Sequence, residues 1–463
     1  MMDLRHFIIV VLFCLALPAC NSSQNPNIIF LLADDHRWDA LGAAGNTIIK
    51  TPHLDKMAEE GVLFRNAFVT TSICASSRAS ILTGQYVSRN NITGFKEELS
   101  EEQFQNTYPL QLEKNGYQIG FVGKYGVGHG DLKREKAAFD FFWGQNGQPL
   151  YENIDAAGNI IHYTELIHHH INEFLTQTSN KKPFCLSVSF KAPHVQDKDP
   201  RQFIYNKKYA SLYKDDVIPT PEINHEKYYN QFPDFFKNRP DGKLNEARKR
   251  WELRFSSPEK YQESVKGYYR LVTGIDDVVG ELREKLKEKG LDRNTIIIYM
   301  GDNGFYLGEH GLAGKWYGHE PSIRVPLLVY DPRLRKAERG VSRNEMVLNI
   351  DVAPSILQMA GVEHDENMQG TPLATIYRNE AKSWRDAFYY EHLYPSPVIP
   401  RSQGIRTENY KYLYYPDSPN GYEEVYDLKT DPNEKYNLAL QADKKEVLEI
   451  LRAKFKEQQV LAK

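Results

Sequence analysis

The sequence predicts an α/β fold in which a large domain of strands and helices precedes a smaller C-terminal α+β subdomain. Three observations predict it. Short apolar runs recur far apart in the chain, and each ends in polar residues; a long amphipathic helix pattern lies before the last of them; and after about residue 380 the texture turns to aromatic-rich strand patterns closed by a helical one. A chain of 463 residues also exceeds what one small core organises.

The elements follow in order. Arg5 precedes an apolar run from Phe7 to Leu17, too short to span a bilayer comfortably and ending in small residues, as an export signal does. Its end, Leu17-Pro18-Ala19-Cys20, resembles a bacterial lipoprotein cleavage box, which implies lipidation of Cys20 and a short tether at 21–24. The chain is then expected to be exported and held at a bacterial periplasmic or cell-surface membrane through the lipid anchor only. Asn27-Ile28-Ile29-Phe30-Leu31-Leu32 is the first strand, with Asp34 and Asp35 directly after it. Residues 184–190 precede Pro193 and His194, and residues 295–300 precede Gly301, Asp302 and Asn303. Ligands of open α/β sheets bind beyond the carboxyl ends of the strands, so these three ends are expected to converge on one site. Val265, Tyr268, Val272, Ile275, Val279, Leu282 and Leu286 recur at helical spacing, and Gly290 ends that helix. Residues 197–254 read either as a lid facing the substrate or as a solvated excursion. Strands are expected at 387–391 and 410–415, with a helix at 444–458. The expected domains are 1–20 (signal), 25–380 (catalytic) and 381–463 (C-terminal).

Charged residues make up 26% of the chain while the net charge is only −3, so no global field points to nucleic acid, and an anionic ligand must be caught by a local basic pocket. Of the four cysteines, 14 and 20 fall in the leader, so no disulfide framework exists. Cys185 reads as a buried strand residue, whereas Cys74 lies among small polar residues ahead of Arg78. Asp34, Asp35, Asp302 and Asn303 offer only oxygen, which suits calcium or magnesium better than zinc, and calcium is the expected cofactor.

Cys74-Ala75-Ser76-Ser77-Arg78, followed by Thr83-Gly84, resembles the sulfatase signature, in which the cysteine is oxidised to formylglycine. The resemblance extends over nearly all of the mature chain. It takes in Thr51-Pro52-His53, Gly123-Lys124, Ala192-Pro193-His194, Gly308-Glu309-His310-Gly311, Lys315, Arg324-Val325-Pro326 and Tyr426-Asp427-Leu428. It implies an alkaline-phosphatase-like fold with a central mixed, mostly parallel sheet flanked by helices, and hydrolysis of sulfate esters on sulfated saccharides. It further implies a formylglycine-generating maturase as partner, the modified Cys74 as nucleophile and metal ligand, and Arg78 on the sulfate. Lys124 and Lys315 would offset developing charge, and His194 would protonate the departing oxygen. His392, Arg401 and Arg406 lie where such relatives line a substrate pocket. The chain departs from the family pattern at two places. Ser76 stands where the signature usually has proline or alanine, and Gly126 where a histidine often follows the lysine, with His129 nearby. Other readings are a phosphoesterase of the same superfamily and a non-catalytic glycan-binding lipoprotein.

Overall fold

The computed structural model describes residues 25–155, 157–179, 181–238, 242–378 and 383–463. The export segment and Cys20 lie outside them. Among the described residues, no helix is long and apolar enough to cross a membrane.

Eight strands form the main sheet: β1 (Asn27–Asp34), β2 (Val62–Phe68), β3 (Gln118–Lys124), β4 (Phe141–Gln145), β5 (Phe184–Pro193), β6 (Thr295–Gly301), β7 (Arg324–Tyr330) and β8 (Val341–Leu348). Their spatial order is β8-β2-β7-β6-β1-β5-β3-β4. Only β7 runs against its neighbours; every other pairing is parallel, so the sheet is mixed and mostly parallel as expected. A four-stranded antiparallel sheet follows, β9 (Ala387–His392), β10 (Ser402–Thr407), β11 (Tyr410–Tyr414) and β12 (Glu423–Asp427), covered by a helix at Lys445–Ala462.

The central strands are apolar throughout because both faces of the sheet are covered. Alternate residues enter separate cores: Ile28, Phe30, Leu32, Ile296, Ile298 and Met300 pack on one face. Ile29, Leu31, Ala33, Ile297 and Tyr299 pack on the other, beneath Val265, Tyr268, Val272, Ile275 and Val279 of the long helix Pro258–Glu288. Each such Ile or Leu contributes about 2 kcal/mol by leaving water, which fixes the register against a one-residue slip. Residues 197–254 are no solvated excursion. Phe203, Tyr213, Phe232, Phe236 and Trp251 are buried in the two cores.

Register places the functional ends side by side. Ala33 pairs with Gly301 and Asp34 with Pro193, and Gly123 pairs with Ser189. The carboxyl ends of β6, β1, β5 and β3 therefore open on one place at the middle of the sheet.

Candidate active site

Asp34 is the last residue of β1. Asp35 leaves the strand with φ of +66°, a left-handed conformation that Asp tolerates better than most residues. The turn is held from across the fold: the Tyr268 hydroxyl donates to the Asp35 carbonyl at 2.7 Å and accepts from the Arg37 N–H at 3.0 Å. Beyond β6, the Asp302 carboxylate accepts from the Asp35 N–H at 3.1 Å, and the Asn303 amide donates to Asp35 Oδ1 at 2.6 Å. All four side chains are buried.

Three cations face them. Lys124, at the end of β3, binds Asp34 Oδ2; Lys315 binds Asp35 Oδ1; and Arg78 Nε donates to Asp302 Oδ2 at 2.9 Å. Arg78 Nη1 also donates to the Lys124 carbonyl at 2.7 Å and to the Ser189 hydroxyl. Gly126 makes room for this arginine: its φ is +72°, and a Cβ there would stand 2.9 Å from Arg78 Cδ. His194 follows the end of β5. Its Nδ1 lies 2.6 Å from the Val195 carbonyl, which can only accept, so Nδ1 carries a proton and Nε2 faces the site, 3.6 Å from Asp35 Oδ2 and 3.2 Å from the Gln148 amide nitrogen.

Cys74 is the first residue of a ten-residue helix, Cys74–Thr83, in which every residue is buried. The helix N-terminus adds positive potential at that point. Lys124, Lys315, Asp34 and Asp302 all act electrostatically on the thiol, which places it among them. Burial nevertheless pushes the thiol pKa up, so cysteine itself is a poor nucleophile here.

The charges are balanced in number and open in space. Asp34 Oδ1, Asp35 Oδ2, Asn303 Oδ1 and Arg78 Nη2 are buried without a hydrogen-bond partner. Burial would raise Asp34, but Lys124, His194, Lys315 and Arg78 hold it well below the usual carboxylate range. Burial, and then the Asp34 charge, pushes Asp302 up to about 7. Burial opposes the charge on Lys315, yet Asp35 and the adjoining acids hold its pKa above the ordinary lysine value. Unpartnered oxygens from two carboxylates and an amide are a donor set that suits a hard cation. Ligand atoms of Asp34, Asp35 and His194 lie within 4.8 Å of one another.

The structure thus brings Asp34, Asp35, Cys74, Arg78, Lys124, His194, Asp302, Asn303 and Lys315 together. The three C-terminal positions are placed differently. Arg401 pairs with Asp417 at the surface, at 2.7 Å, and Arg406 lies 3.4 Å from Glu320 and over the Phe68 ring. His392 is enclosed with both ring nitrogens unpartnered. His129 is exposed, 3.7 Å from Glu98. Sequence reasoning missed Ser189, Gln148 and Tyr268. Only Ser189 carried a signal: with Ser187 it makes two hydroxyls at alternate positions of an apolar strand, hence on one face.

Comparison with known proteins agrees with this geometry. The sulfatase family model matches residues 26–362, and a second model, the C-terminal part of N-sulphoglucosamine sulphohydrolase, matches residues 308–461. The chain belongs to the sulfatase family, the sulfuric ester hydrolases. It is 28% identical to an N-acetylglucosamine-6-O-sulfatase of Bacteroides thetaiotaomicron, with 96% of this chain and 89% of that protein covered. An arylsulfatase of Clostridium perfringens is also 28% identical, over 93% of both chains. A solved structure in complex with its substrate D-glucosamine-2-N,6-O-disulfate superposes with a TM-score of 0.79 at 27% identity, covering 95% of this chain and 98% of that one. A phosphonate monoester hydrolase from Silicibacter pomeroyi shares the fold, with a TM-score of 0.78 at 19% identity over 95% and 96% of the two chains.

Proposed function

We propose that this enzyme removes sulfate from sulfated saccharides by a formylglycine made from Cys74, with calcium held by Asp34, Asp35, Asp302, Asn303 and the modified residue 74. The observation that carries this reading is the position of Cys74 on a helix N-terminus, facing three cations and a set of unpartnered oxygens. When bound, calcium supplies charge stabilisation at the sulfate oxygens.

The residues of the chain divide the remaining work. Arg78, fixed by Asp302 and the Lys124 carbonyl, keeps Nη2 free for a sulfate oxygen. One hydroxyl of the hydrated aldehyde at 74 gives its proton to water and forms a bond to sulfur while the sulfur–oxygen bond to the saccharide breaks, and Lys124 and Lys315 offset the charge that builds up. His194 gives a proton from Nε2 to the departing oxygen. Burial and Lys315 hold its pKa well below the ordinary histidine value, and the arriving anion supplies the opposite charge that favours protonation. The second hydroxyl then loses its proton to water, the carbon–oxygen bond to sulfate breaks, sulfate leaves with the bonding pair, and the aldehyde returns to be hydrated again.

Names of relatives support the saccharide: N-acetylglucosamine-6-O-sulfatase and ulvan-active sulfatase both stand among them. His392, Arg401 and Arg406 are the candidates for sugar contact; His392 is enclosed, and Arg401 and Arg406 reach a ligand only by exchanging their carboxylate partners. A catalytic unit at 25–380, a C-terminal subdomain at 381–463 and a lipid on Cys20 complete the reading.

The test is sulfate release from a panel of sulfated saccharides, with and without calcium, by protein matured in a competent host and by Cys74→Ala. Wild type is expected to release sulfate, with loss of at least about 10³-fold in the variant. A wild type that carries formylglycine and releases no sulfate from any member defeats the reading.

A further inference from the structure

One hydroxyl of the C-terminal sheet reaches the segment that bears Lys315. Tyr390 lies on β9 and is buried; its hydroxyl donates to the Trp316 carbonyl at 2.7 Å. Trp316 directly follows Lys315, and its N–H donates to the Ser72 carbonyl at 3.1 Å. Ser72 lies two residues before Cys74. The next residue of β9 extends the contact, because the Glu391 N–H donates to the Thr70 carbonyl at 2.9 Å. Strand β9 is therefore stitched along the segment that leads to Cys74, and Tyr390 sits where that segment meets the one bearing Lys315.

The Lys315 segment does not hold its shape by local preference. Gly314 has φ of +97° and Trp316 φ of +91°, so the lysine is bracketed by two left-handed residues, one of which carries a large side chain. Such a conformation persists only where the surroundings over-determine it. Here the amide and the carbonyl of Trp316 are both engaged, and Gly318 lets the C-terminal sheet close in: a Cβ at 318 would lie 2.4 Å from Leu413 and 3.1 Å from the Tyr390 ring.

We propose that Tyr390 is a positioning residue: through the Trp316 carbonyl its hydroxyl fixes Lys315 beside Asp35 and opposite Cys74. The C-terminal sheet then sets the geometry of charge compensation at the sulfate. This rests on the role given to Lys315 above.

The experiment uses the full chain, matured with formylglycine, and the sulfated saccharide that wild type cleaves. Tyr390→Phe is compared with Tyr412→Phe, which removes from the same sheet a hydroxyl bonded to Glu423 at 2.6 Å. Tyr390→Phe is expected to lower kcat about tenfold with KM within about twofold, and with formylglycine content and Tm as in wild type. Tyr412→Phe is expected to leave kcat unchanged, and 4-aminophenylalanine at 390, which keeps a donor, to restore it. Should Tyr390→Phe fail to fold, 4-fluorophenylalanine against 4-aminophenylalanine at 390 makes the same comparison at nearly constant size. An unchanged kcat, an equal loss in Tyr412→Phe, or a loss that follows KM or formylglycine content overturns the proposal while leaving the sulfatase reading intact. A formylglycine-bearing wild type without activity removes the reading on which it stands.

Discussion

Two clusters of buried charge among the described residues are built on opposite rules. At the strand ends, Asp34 and Asp35 each give one oxygen to a lysine and leave the other without a partner. Between the main and C-terminal sheets, Lys411 lies 3.0 Å from Glu320 and 2.6 Å from Glu434, whose second oxygen accepts from the Glu320 N–H at 2.8 Å. Glu320 also reaches Arg406 at 3.4 Å and Arg324 at 3.9 Å. The second cluster is closed in charge, each of its charged groups facing an opposite one, although Lys411 Nζ and Glu434 Oε1 meet without hydrogen-bond geometry. The first is open on both signs, carboxylate and amide oxygens on one side and Arg78 Nη2 on the other. Burying a charge is costly unless it is paired, so an open cluster is held ready for ligands and a closed one for structure.

Breaking the open cluster should give the largest effect. Asp35→Asn removes the carboxylate shared by Lys315, Asn303 and the Asp302-facing turn, and is expected to lower sulfate release at least about 10³-fold. A cation that binds only the folded state stabilises it by about 2.7 kcal/mol at a hundred times its Kd. Wild type should therefore gain Tm on adding calcium, and the variant should not. If Tm of Asp35→Asn rises with calcium as much as that of wild type, the cation does not sit where the open oxygens point.

Breaking the closed cluster should cost stability instead. Lys411→Met leaves Glu320 and Glu434 buried with one cation fewer, and removal of one partner from a buried pair costs about 3–5 kcal/mol. Denaturant unfolding should show that loss, while the calcium-dependent rise in Tm persists. A Lys411→Met protein that stays as stable as wild type and loses its calcium response would reverse the assignment of the two clusters.

The contrast also marks what the sequence could show. The oxygen donors and His194 were legible because they sit at the ends of apolar runs: β1, β5 and β6 each deliver their polar residues within a few positions, whereas Arg78, Lys124 and Lys315 were reached only through the resemblance to the family. Strands β2, β3, β7 and β8 were harder to read. Arg65 and Asn66 interrupt β2, and Pro326 stands in β7 at a register shift between Val325 and Leu327, so neither reads as a clean run. The closed cluster was invisible, because Glu320, Lys411 and Glu434 are ordinary surface residue types whose burial depends on how two sheets dock. Tyr268 and Tyr390 escaped for the same reason: each acts through a hydroxyl on a backbone group far away in sequence. The segment at 197–254, rich in both aromatics and charges, reads equally as a lid or a solvated excursion, and its aromatics at 203, 213, 232, 236 and 251 pack into the two cores.

The smallest effect should come where charge is exposed, and it separates a substrate contact from a surface pair. Arg401 and Asp417 are each close to half exposed, with side-chain accessibilities of 43% and 46%. Such a pair contributes about 0.5 kcal/mol, so Arg401→Ala should leave Tm within about 1 °C. If Arg401 meets the sugar, the same change should raise KM for the sulfated saccharide about threefold with kcat unchanged, the pattern of lost uniform binding. Asp417→Ala frees the guanidinium without removing it and should lower KM instead. Opposite shifts in the two variants assign Arg401 to the saccharide; an unchanged KM in both leaves it a surface ion pair and places sugar recognition nearer His392.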